Sequence, residues 1–113
     1  MKENGHREIL AAILDTTREC VIVADADSRV SGWNEAARLA FSPNIPPEGR
    51  RISEILRDLD LHEAFRRALE DGLESEIRLE TNGGERKFDV HVSPVDLGGE
   101  REAIAFFYET TRL

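Results

Sequence analysis

At 113 residues the chain is long enough to bury one core and too short for two. Its 23 acidic against 15 basic residues leave a formal charge of -8, which repels nucleic-acid phosphates and anionic lipid alike, so neither nucleic acid nor direct membrane contact is expected. No apolar run approaches the roughly 20 residues that cross a bilayer, and a single cysteine, Cys20, rules out an internal disulfide or a four-cysteine zinc site.

The opening residues lack the apolar core and cleavage site of a secretory signal, so a cytoplasmic location is expected, with any membrane anchor of a longer parent lying elsewhere. Residues 1–18 read as a tail and a short amphipathic helix, because Ile9, Leu10, Ile13 and Leu14 recur one turn apart on one stripe. Residues 19–113 read as one folded unit. Cys20 to Ala24 and Val30 to Trp33 are β-prone runs joined by short polar residues, a hairpin. Asn34 is placed to cap a helix over Glu35 to Phe41, which Pro43, Pro46 and Pro47 end. Ser53 is placed to cap a short helix through Leu56, and Asp60 with Glu63 forms a capping-box pattern opening a third. Leu61, Phe65, Ala68 and Leu69 share one face of that helix, His62, Glu63, Arg66, Arg67 and Glu70 lie off it, and Gly72 closes it.

The period then changes from helix to strand. Leu73, Ser75, Ile77 and Leu79 alternate with charged residues, Asn82-Gly83-Gly84 turns the chain, and Phe88, Val90 and Val92 continue the alternation. A second turn at Leu97-Gly98-Gly99-Glu100 leads into the apolar strand Ala103 to Tyr108. The fold class is therefore α+β: a five-stranded antiparallel sheet with short helices on one face and an N-terminal helix.

Val21 to Val30 followed by Trp33-Asn34-Glu35-Ala36-Ala37 resembles the opening of a PAS domain. Gly49-Arg50-Arg51-Ile52-Ser53-Glu54-Ile55-Leu56 is similar to that family's short helix after a glycine, and Glu109-Thr110-Thr111 to its closing motif. The resemblance covers nearly the whole chain and is nearest to the cytoplasmic PAS domains of phosphate-regulation-type sensor histidine kinases. It has two departures. Ser28 stands where the family usually has a hairpin glycine, a left-handed position that costs serine about 1 kcal/mol. Glu109 stands where the closing motif usually has aspartate, the residue that the resemblance links to the output helix.

Chemistry-bearing residues are few. Flavin-binding relatives carry their reactive cysteine in a short helix, whereas Cys20 lies on the first strand and reads as a small buried hydrophobe. Heme-binding relatives use a histidine on the long helix, where His62 is the one candidate ligand, though it falls on the polar stripe and reads first as a surface histidine. His6 and His91 complete no metal spacing. No nucleophile elbow, phosphate loop or paired-histidine motif is present, so the chain is expected not to be an enzyme. Asp25 and Asp27 fit turn chemistry better than an acid pair, and Arg50, Arg51, Arg66 and Arg67 fit a solvated face better than an anion site.

The resemblance points Ile22, Ala24, Ala105 and Phe107 into the cleft between sheet and helices. Alternation adds Ile77, Leu79, Phe88, Val90 and Val92, and Phe41, Ile55, Leu56, Phe65 and Leu69 close the cleft from the helical side. Phe41, Phe65 and Phe107 fill much of that volume, which favours a filled core over a pocket. No resident cofactor is expected, and an unidentified small ligand is the alternative occupant. On the opposite face, Ile104, Phe106 and Tyr108 form an apolar patch that Ile9, Leu10, Ile13 and Leu14 are suited to cover, which points to a homodimer. Asp25 and Asn34 are structural candidates, and Glu109 and Thr111 are the candidates for coupling to a kinase or other output domain of the same parent. The function expected from the resemblance is a sensing and dimerisation module of a two-component histidine kinase. The alternatives are a heme or flavin sensor, or the same domain attached to a cyclic-dinucleotide enzyme or a transcription activator.

Overall fold

The computed structural model describes residues 19–110. Strand β1 (Cys20–Ala24) is buried along its whole length, as a run of five apolar residues in the middle of a sheet must be. It pairs antiparallel with β2 (Val30–Trp33) with Ile22 opposite Trp33 and Val23 opposite Gly32, and the register shifts just before Ala24 meets Val30. Asp25 makes the connection. Its Oδ1 accepts the N–H groups of Asp27 at 2.9 Å and Arg29 at 3.1 Å, and Ser28 takes the left-handed conformation at φ 60.

Helix α1 (Glu35–Phe41) starts at Asn34, whose side chain accepts from Ala37 N. Helix α2 (Ile52–Ile55) starts at Arg51, not Ser53, and has no side-chain cap. The reason is tertiary: Arg51 bridges to Arg29 in the hairpin, and the Ile52 N–H donates to the Ser28 carbonyl at 3.0 Å, which fixes the chain direction into the helix one residue before Ser53. Helix α3 (Leu59–Arg66) is capped by Asp58, whose Oδ1 accepts from Leu61 N at 2.9 Å, in place of the Asp60 and Glu63 box. Glu63 pairs with Arg66 on the solvent side. The helix continues as a π-helical turn (Arg67–Asp71) and stops at Gly72, φ 68 and ψ 28. Leu73 is 55% exposed and outside the strand it was expected to open.

Strands β3 (Ser75–Thr81), β4 (Arg86–Leu97) and β5 (Glu100–Glu109) form an antiparallel meander, with β5 starting three residues before the expected Ala103. The sheet order is β2-β1-β5-β4-β3, so the first strand sits beside the last and β5 is central. Ala103, Ala105 and Phe107 of β5 share one core with Ile22, Ala24, Phe88, Val90 and Val92 of the sheet and Leu61, Ala64, Phe65 and Ala68 of the helical layer. Val21, Val23, Ile104 and Phe106, displaced by one residue along β1 and β5, form a second apolar cluster on the far face.

Candidate functional site

The cleft between sheet and helices is built from alternate residues of four strands. Ile22, Ala24, Leu56, Phe65, Phe88, Val90, Val92, Ala105 and Phe107 are buried there, and Phe41, Ile55, Leu69 and Ile77 are partly buried against them. Three rings meet at its centre. Phe41 lies 5.4 Å from Phe88 and 5.0 Å from Phe107, and Phe88 meets Phe107 edge-on at 6.2 Å. These are favourable aromatic arrangements. Phe88 takes the place in this trio that the sequence suggested for Phe65, which is buried elsewhere in the same core. Cys20 faces this core too, and burial pushes its thiol pKa up, so it is held as the neutral thiol.

Asn34 joins the first strand to the first helix. Its Oδ1 accepts from Val21 N and from Ala37 N, both at 3.0 Å, and its Nδ2 donates to the Glu19 carbonyl at 2.5 Å. His62 stays partly exposed on α3, outside the core that its neighbour Leu61 enters. Among the described residues no group of three His, Cys, Asp or Glu side chains is set to hold a metal, and no helix is long and apolar enough to cross a membrane.

The second locus is the end of β5. Glu109 sits opposite Phe88, and its carboxylate takes both arms of the Arg86 guanidinium, Nε to Oε2 at 2.9 Å and Nη2 to Oε1 at 2.8 Å. The same guanidinium lies 5.2 Å from the centre of the Phe88 ring, within cation–π range. The hydrogen bonds to the Glu109 carboxylate raise the already high pKa of Arg86. Thr110 extends the ladder one residue further, its N–H donating to the Lys87 carbonyl at 2.8 Å. The last residues of the strand are thus tied directly to the aromatic core. Arg86 was not singled out in the sequence.

On the far face Val21 and Val23 are fully buried, while Tyr108 is 45% exposed. Glu102 is buried beside them and accepts from the Ser31 hydroxyl at 2.6 Å, a second polar contact that sequence reading missed. Toward β3, His91 stands between Glu74 at 3.1 Å and Glu76 at 3.4 Å. A shallow depression of about 460 Å³ lies there, lined by Glu76, Arg78, Asp89, His91 and Tyr108 among others. Ile9, Leu10, Ile13, Leu14 and Thr111 lie outside the described residues.

Residues 14–113 match the model of the PAS fold family. The alginate biosynthesis sensor protein KinB of Pseudomonas aeruginosa is 35% identical over 66 residues, 58% of this chain, and the match spans 11% of that protein's length. The PAS domain of nitrogen regulation protein NR(II) from Vibrio parahaemolyticus superposes with a TM-score of 0.67 at 20% identity, over 89% of this chain and 97% of that one. A sensory box sensor histidine kinase structure from Vibrio cholerae gives 0.66 at 16% identity over the whole of both chains. The family model covers nearly all of the chain, and the chain belongs to the PAS fold family.

Proposed function

We propose that this PAS domain is the signal-sensing and dimerisation module of a two-component sensor histidine kinase, passing its state through β5 to a C-terminal output domain. The likeness to KinB and to histidine-kinase PAS structures supports the parent's class. The domain itself senses; any catalysis belongs to the parent.

The observation that carries the coupling is the Arg86–Glu109 fork. It fixes the exit of β5 to the ring cluster, so two packings of Phe41, Phe88 and Phe107 would present the following chain in two positions. A ligand or partner that prefers one packing shifts the populations. Glu109, one methylene longer than the aspartate of the usual motif, still forms a two-pronged ion pair, the geometry that gives arginine–carboxylate contacts their directionality.

The test is a charge swap in the full-length parent. Arg86→Glu and Glu109→Arg are each expected to change autophosphorylation several-fold, and the double variant is expected to recover most of it. Single variants that phosphorylate like wild type, or a double variant no better than either, would overturn the coupling role.

A further inference from the structure

The long helix does not finish as an α-helix. Arg67–Asp71 wind as a π-helical turn, and the N–H groups of Gly72 and Leu73 both donate to the Arg67 carbonyl. A π turn holds an extra residue, and the last carbonyls of any helix need partners from elsewhere. Arg101 supplies one: its Nη1 donates to the Leu69 carbonyl at 3.4 Å. A Cβ placed on Gly72 would stand 3.3 Å from Cζ, Nη1 and Nη2 of Arg101 alike. Equal distances to three guanidinium atoms mean that the flat face of the group lies over Gly72. The left-handed backbone calls for glycine there.

Arg101 is the second residue of β5, the central strand that ends at Glu109. We propose that Arg101 is a clasp between the end of the covering helix and the start of β5, so that a change in the winding of Arg67–Asp71 is carried into the central strand. Rewinding the π turn to α passes its extra residue on to the following segment and turns the backbone by about 100° with a shift of about 1.5 Å. That moves the Leu69 carbonyl away from the guanidinium. The clasp thus recognises one winding. Lysine cannot replace it, because it has neither the flat face that lies on Gly72 nor the rigid fork of donors. The clasp rests on this geometry alone and holds whether or not a ligand enters the core.

Amide hydrogen exchange on the 113-residue chain tests it as a double-mutant cycle. Leu69→Ala, which loosens the π turn from within, is expected to speed exchange at residues 101–103 several-fold. In the Arg101→Lys background the same substitution is expected to change those amides less than about twofold, while Gly72 and Leu73 exchange faster in Arg101→Lys alone. Transmission from Leu69 that is equally large with Lys at position 101, or Gly72 and Leu73 amides that do not respond to Arg101→Lys, would overturn the clasp. Arg101 is exposed, so its variant folds, and exchange at Val90 and Val92 separates a local effect from general loosening.

Discussion

Asn34 satisfies three backbone groups with one side chain, two of them N–H donors in the buried interior. Truncation leaves both donors without a partner, so Asn34→Ala is expected to lower the urea unfolding free energy by about 2–4 kcal/mol. Asn34→Asp keeps the acceptor but sets an oxygen against the Glu19 carbonyl in a buried site, so it is expected to be destabilising as well. Ser28 is the opposite case, since its φ of 60 is a strain. Ser28→Gly is expected to gain no more than about 0.5 kcal/mol, the relief of the left-handed position less the added freedom of glycine in the unfolded chain. Glu74 sets a pH dependence. Hydrogen bonds from Ser93 and then His91 hold its carboxyl below the usual carboxylate range. A folded pKa below the unfolded one stabilises above the unfolded value, and that contribution is lost as pH falls through the folded one. The thermal midpoint of Glu74→Gln should therefore lie below wild type at pH 7, with the gap closing as the pH passes down through the carboxylate range. A gap independent of pH would contradict this.

Elements set by local chemistry were legible in the chain, and elements set by distant contacts were not. The β1–β2 hairpin ends where the polar run from Asp25 to Arg29 begins and resumes at Val30, because the Asp25 side chain makes that turn within five residues. Helix starts were misplaced for a physical reason. Asp58 and Asp60 are chemically equal caps, and the choice between them depends on the direction from which the chain enters α3. Ser53 lost its cap to a backbone bridge between Arg29 and Arg51 that no local pattern encodes. The π turn has no sequence signature at all. Most of the cleft followed from alternation, yet Arg86 was missed although its signal was present. The tight turn at Gly98-Gly99 fixes the β4–β5 register, which sets Glu109 opposite Phe88 and brings Arg86 within reach on the neighbouring strand. At this scale the central prediction concerns Phe107, which packs on β5 against Phe41 and Phe88. Phe107→Ala is expected to cost about 3–5 kcal/mol in unfolding free energy. A loss below about 1 kcal/mol would mean that the ring cluster is not close-packed.

The described residues form a sheet with an apolar cluster on each face. The inner face is closed by the chain's own helices and phenylalanines. The far face carries Val21, Val23, Ile104 and Phe106 with Tyr108 half in solvent, beside the charged strip of Glu74, Glu76 and His91. Val21 and Val23 are already buried, whereas Ile104 and Phe106 are only partly buried, and these with Tyr108 are the basis for proposing that two copies meet through the far face, with Ile9, Leu10, Ile13 and Leu14 contributing from outside the described residues. The order β2-β1-β5 puts the first strand next to the last, so the end of β5 and the proposed pairing surface share β1 and β5. Under the proposed function, a shift in one would be felt by the other. The native mass of the chain, set beside that of Phe106→Asp, tests this most directly. The account predicts a dimer for the wild type at concentrations on the order of 100 μM and a monomer for the folded variant. A wild type that stays monomeric at that concentration, or a variant that dimerises equally well, would contradict it.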